Sequence, residues 1–161
     1  MQRLLVALVL PNVTKWIAAQ ERRILAEGVP LSEQELADAR LIGVIQPKRI
    51  RLLPVPFVPL PLYPLARTIG PWFNMPGDQT TALTARYGIF VRESHWGNRA
   101  LIAHELVHTR QYERLGGIRE FLKEYLSQCV RDGYSSALME HEARDLALAV
   151  RAIEPEPPHP S

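Results

Sequence analysis

Cysteine is nearly absent: Cys129 is the only one in 161 residues. No internal disulfide can form, so the fold must rest on its core, which is compatible with a reducing, cytoplasmic setting. An excess of one charge is missing as well. The 19 basic and 17 acidic residues leave a net charge of +2, spread along the chain with Lys48, Arg49 and Arg51 as the one tight basic group. That pattern argues against a nucleic-acid partner. Nor does the start of the chain hold an apolar run long enough to cross a bilayer. Leu4 to Leu10 follows Arg3 in the manner of a short signal peptide, but Pro11-Asn12 interrupts it and no small-x-small cleavage site follows. The expectation is an N-terminal helix that packs on the domain or makes peripheral contact with a membrane surface.

What is present is enough apolar material for one core. With 47% hydrophobic and 22% charged residues, 161 residues suit one domain and are too few for two, so residues 1–153 are expected to fold together. Residues 154–161, rich in proline and lacking apolar side chains, are expected to form a flexible tail. Residues 13–27 read as a helix with Trp16, Ile17, Ile24 and Leu25 on one face, ended by Gly28. Ser32 and Glu35 have the spacing of a capping box for a short helix that Gly43 stops. Alternation then takes over: in 45–57, Ile50 and Leu52 face one way and Arg49 and Arg51 the other, as in a half-buried strand.

Eight of the 14 prolines lie between Pro47 and Pro76. Proline donates no ladder hydrogen bond, so the stretch through Pro54, Pro56, Pro59, Pro61 and Pro64 should be a sheet edge or an extended connector. Leu60, Leu62, Tyr63 and Leu65 favour wrapping on the domain over service as a proline-rich ligand. Pro76-Gly77-Asp78 marks a turn. Residues 85–92 read as one strand with Tyr87, Ile89 and Val91 on one face. Beyond the next helix, Ile118, Phe121, Leu122, Tyr125, Leu126 and Cys129 form an amphipathic stripe, which makes the thiol core filler. A last helix, about 135–153, carries Met139, Ala143, Leu146, Val150 and Ile153 on one face.

The chemistry concentrates in Leu101-Ile-Ala-His104-Glu105-Leu-Val-His108, within a helix expected from Asn98 to the Gly116-Gly117 stop. Positions i and i+4 share a helix face, so His104 and His108 can present imidazole nitrogens to one ion. Zinc suits neutral imidazole, and a catalytic zinc takes three protein ligands and leaves a position for water. Glu105 then stands next to that position as a general base. The uncharged neighbours Ile102, Ala103, Leu106 and Val107 describe a buried ligand helix. Two histidines need a third ligand. Gln111 and Arg114 occupy the positions where a metzincin needs glycine and histidine, and Cys129 lies downstream of the motif, not upstream as in a deformylase-like site. Helical periodicity leaves Glu140 and Glu142 open, since each flanks the apolar stripe of the last helix.

Together, the H-E-x-x-H motif and Glu140-His141-Glu142-Ala143 resemble the gluzincin metallopeptidases, specifically the E-x-x-A context of the minigluzincins and the CaaX-type peptidases, over residues 85–150. Arg144 stands where CaaX-type enzymes usually carry aspartate. The resemblance implies an α+β, zincin-like fold, mostly helical, with a small sheet whose edge strand precedes the H-E-x-x-H helix. It implies Glu140 as the third zinc ligand and a zinc metallopeptidase acting on a peptide or protein substrate. It further implies that Gly88, Ile89 and Phe90 bind substrate as an extended strand, against the plainer alternative of an ordinary sheet strand. Tyr134 is the candidate oxyanion donor, with packing as its alternative. His141 is expected to point away from the apolar stripe into solvent, and His95 and His159 have no spacing that implicates them. A catalytically silent zinc-binding assembly module and a latent proenzyme covered by its own tail or connector are the competing functions.

Overall fold

The computed structural model describes residues 2–61 and 79–153. The expectations for Leu62, Tyr63, Pro64 and Leu65, for the Pro76-Gly77-Asp78 turn and for the tail 154–161 fall outside them. Among the described residues, five helices surround a four-stranded mixed sheet: α1 (Gln2–Glu27), β1 (Val29–Pro30), α2 (Glu33–Ile42), β2 (Arg51–Val55), β3 (Ala82–Ala85), β4 (Gly88–Arg92), α3 (Arg99–Leu115), α4 (Ile118–Asp132) and α5 (Leu138–Ala152). The architecture is α+β, as expected. No helix among the described residues is long and apolar enough to cross a membrane.

α1 corrects the expected interruption at Pro11, because the helix runs through it. Proline cannot donate to the carbonyl four residues back and costs about 3 kcal/mol inside a helix. Against this, Val6, Leu10, Val13, Ile17 and Ile24 are all buried on one stripe that spans the proline. Each such side chain contributes about 1.5–3 kcal/mol, so burial wins. Pro11 and Ala7 are exposed, so the carbonyl deprived of its helical donor by the proline lies on the solvent side of the helix. Leu4 and Leu8 point outward.

The sheet order is β1-β2-β4-β3, so strands from before residue 85 share one sheet with β4 of the 85–150 stretch that carries the resemblance. Alternation sends Ile50, Leu52, Tyr87, Ile89 and Val91 into one cluster with α2, α3 and α5. Val55, Ala85 and Phe90 go to the other, with α1 and α4. The sheet is therefore covered on both faces. β2 is shorter than the expected 45–57, and Pro54 sits where β2 pairs only with β4, beyond the two-residue reach of β1. The proline thus occupies an open strand side, as its missing N–H requires.

The expected single strand 85–92 is instead a hairpin, with β3 and β4 joined through Arg86 and Tyr87. Arg86 has φ 56°, a conformation that glycine or asparagine normally takes at such a turn. Here a distant residue holds it. Buried Glu21 of α1 accepts two 2.8 Å hydrogen bonds from the Arg86 guanidinium and one from Tyr87 N–H. A local reading of turn residues carries no signal for that.

β4 also overturns the expected substrate strand. It pairs with β2 on one side and β3 on the other, so it is interior and offers no free backbone edge. Ile89 and Phe90 are fully buried. Gly88 serves helix packing: a Cβ there would lie 2.8 Å from Cβ of Ile24. Among the described residues the outer strand beside the site is β3.

α3 is pinned at three points. Asn98 caps its start, accepting from Leu101 N–H, and Arg99 grips buried Asp38 of α2 through 2.8 and 2.9 Å hydrogen bonds. In its middle, the Thr109 hydroxyl donates to the Arg86 carbonyl at 2.7 Å. Near its end, Glu113 accepts from Ile45 N–H, Gln46 N–H and the Tyr87 hydroxyl. Gly116 then terminates it in the left-handed conformation. Ala103 of α3 and Ala143 and Ala147 of α5 are small and buried in the same cluster, which brings the two helices close. α5 begins at Leu138, after a 3₁₀ turn at Tyr134–Ser136. It lacks a side-chain cap of its own, and Gln128 of α4 accepts from Met139 N–H at 3.0 Å. Ile153, expected on the buried face, is exposed, and Cys129 is buried as expected.

Candidate metal centre

His104 and His108 stand one turn apart on α3, and Glu140 enters from the first turn of α5. The two Nε2 atoms are 3.1 Å apart. Glu140 Oε2 lies 3.2 Å from His104 Nε2, and Oε1 lies 3.3 Å from His108 Nε2. Ligands about 2.0–2.1 Å from a tetrahedral zinc stand about 3.3 Å from one another; the two imidazole nitrogens, and each nitrogen with the carboxylate oxygen that faces it, are at that spacing, and one ligand atom from each residue lies within 4.8 Å of the other two. Glu140 is 1% exposed. A buried carboxylate needs partners, yet among the described residues its Oε2 has no hydrogen bond. The donor set, the spacing and the orphaned oxygen all fit a divalent cation that accepts imidazole.

The electrostatics agree. Burial opposes a charged His108, but the Glu140 carboxylate in contact with it, with Glu105 close by, outweighs burial and pushes the imidazole up to about 9. Burial alone would raise the Glu140 carboxyl. Its contacts with His104, His108 and the Tyr125 hydroxyl overcome that and hold it well below the usual carboxylate range. The pocket therefore favours positive charge beside Glu140.

Several of the site side chains have a holder. Gln111 Oε1 meets His108 Nδ1 at 2.9 Å, while Gln111 Nε2 donates to the Met139 carbonyl and to Glu142 Oε2. Glu142 is turned away from the histidines and held by Arg110 and Arg114. The Tyr125 hydroxyl donates to Glu140 Oε1 at 2.6 Å, and the Thr84 hydroxyl of β3 donates to Glu105 Oε2 at 2.6 Å. Among the described residues His104, the more exposed of the two histidines, meets His108 and Glu140 and no outer partner. Tyr134 lies on the 3₁₀ turn before α5. Burial, together with the negative charges of Glu140 and Glu105, pushes its phenol up, so it keeps its proton.

The structure brings His104, His108 and Glu140 together, with Glu105 on the same helix, and leaves Gly88, Ile89 and Phe90 in the sheet interior. His141 is exposed. Burial pushes the Cys129 thiol up to about 12, far from the thiolate a nucleophile or ligand needs. Thr84, Gln111 and Tyr125 are site residues that sequence reasoning missed. Gln111, three residues after His108 on one helix face, carried a usable signal. Tyr125 was legible only as part of an apolar stripe, and Thr84 precedes the stretch the motif draws attention to. No protein-family profile, curated protein or solved structure matches the chain.

Proposed function

We propose that this chain is a zinc-dependent metallopeptidase of the gluzincin type, with His104, His108 and Glu140 holding the ion and Glu105 as general base. The observation that carries this is the cluster of His104, His108 and Glu140, one ligand atom from each lying within 4.8 Å of the other two, with a buried carboxylate oxygen that has no hydrogen bond among the described residues. Bound zinc would polarise the scissile carbonyl and lower the pKa of a water toward about 7. Glu105 takes the proton from the attacking water and passes it to the leaving amine. Thr84 fixes one oxygen of Glu105 and leaves the other for that transfer. Tyr134, which keeps its proton, donates to the oxygen on which negative charge develops. The substrate is a peptide or protein chain.

A second reading, a zinc-holding assembly module without turnover, is favoured by one observation: Glu105 is 6% exposed, and Thr84 already engages its carboxylate. Incubating the zinc-loaded protein with a diverse peptide library and reading new termini by mass spectrometry separates the two. The peptidase reading expects cleavage by wild type and a loss of at least about 100-fold in Glu105→Gln, which keeps its zinc. Bound zinc with no cleavage of any peptide supports the module.

A further inference from the structure

The two carboxylate oxygens of Glu140 are not equivalent. Oε1 accepts the short hydrogen bond from Tyr125 and lies 3.3 Å from His108 Nε2, whereas Oε2, which has no hydrogen bond among the described residues, lies 3.2 Å from His104 Nε2. The Tyr125 ring is set by elements that do not carry Glu140. It stacks on Phe121 of α4, with centroids 5.4 Å apart and planes 14° from parallel, and Phe121 stacks on Tyr112 of α3 at 3.6 Å. His108 meets the Phe121 and Tyr125 rings edge-on, at 6.2 and 6.0 Å. This aromatic ladder fixes where the hydroxyl points, independently of α5. An oxygen already accepting a short hydrogen bond is the poorer donor to a metal, and the free oxygen is the better one.

We propose that Tyr125 is a positioning residue of the metal centre: its hydroxyl claims Oε1, so that Glu140 ligates through Oε2 alone. This rests on the zinc reading above. With Oε1 released, the carboxylate is free to turn and chelate through both oxygens, filling the position that a catalytic site keeps for water. Tyr125 thereby links the α4 stripe, which otherwise looks purely structural, to the openness of the site.

The full chain is loaded with cobalt(II) as an optical probe, and separately with zinc, for wild type, Tyr125→Phe and Tyr112→Phe. Tyr112 belongs to the same ladder, but its hydroxyl donates to the Thr84 carbonyl, so it controls for packing. Wild type should show the intense visible bands of four-coordinate cobalt. Tyr125→Phe should lose intensity several-fold as coordination rises to five, and its zinc affinity should fall roughly 10- to 100-fold. Tyr112→Phe should match wild type in both. A Tyr125→Phe protein with wild-type bands and affinity overturns the proposal, as does an equal change in Tyr112→Phe. Zinc-edge X-ray absorption on wild type needs no variant to fold: one short carboxylate oxygen is expected, and a chelating pair overturns the proposal. If wild type takes up neither metal, the zinc reading itself fails; if it binds both and only the Tyr125 outcomes fail, that reading stands.

Discussion

Replacing Gln111 by leucine should weaken metal binding without touching a proposed ligand. Gln111 is fully buried. Its Oε1 is the partner of His108 Nδ1, which selects the tautomer whose Nε2 is free to ligate. Its Nε2 ties α3 to α5 through the Met139 carbonyl and Glu142. Leucine has similar volume and none of these bonds. Loss of the partner of a ligating histidine costs roughly 10- to 100-fold in metal affinity, or about 1.4–2.7 kcal/mol. The orphaned His108 Nδ1–H and Met139 carbonyl each add about 1–3 kcal/mol of instability to the metal-free fold. Gln111→Glu keeps the acceptor for His108 but sets a second carboxylate against Glu142, so it should hold zinc nearly as wild type while losing stability. The assay is competition against a chromophoric chelator at fixed pH, beside urea unfolding of the metal-free proteins. If Gln111→Leu folds and binds zinc within twofold of wild type, the positioning argument is refuted.

Other outcomes follow from the same contacts. Glu21→Gln removes the carboxylate that holds Arg86 at positive φ, so unfolding stability should fall by about 2–4 kcal/mol, read by urea titration. Gly88→Ala places a Cβ 2.8 Å from Ile24 and should cost about 1–3 kcal/mol by overpacking, read as a lowered Tm. In the metal-free protein His108 has a folded pKa of about 9, above its unfolded value of about 6.5. Its stabilisation is therefore full below about pH 6.5 and lost as pH rises through about 9, on the order of 3 kcal/mol. Urea unfolding of wild type against His108→Ala across that range reads it, and a pH-independent difference between the two would contradict it.

Much of the fold was legible because local signals there agree with tertiary ones. The Ser32 and Glu35 capping box forms as its spacing requires, and Asn98 and Gly116 bound α3. What escaped were features decided at a distance. Pro11 reads as a helix breaker until its helix has a core to bury, and Arg86 reads as a strand residue until Glu21, 65 positions earlier, turns it. β4 looked like an edge strand because alternation cannot reveal that both of its edges are paired. In the site, helix spacing placed His104, Glu105 and His108, but periodicity alone could not separate Glu140 from Glu142. Tertiary placement separates them, through the charges that occupy Glu142: Arg110 and Arg114 pull it outward, and Glu140 is left facing the histidines.

Whether His104, His108 and Glu140 together hold a metal ion is read by plasma mass spectrometry of purified wild type beside His104→Ala, Glu140→Gln and Glu142→Gln. Close to one zinc per wild-type chain is expected, little in His104→Ala and Glu140→Gln, and near-wild-type zinc in Glu142→Gln. Wild type that neither carries nor takes up zinc, or Glu140→Gln that retains it, would rule out this metal centre and return these side chains to a buried hydrogen-bonded core.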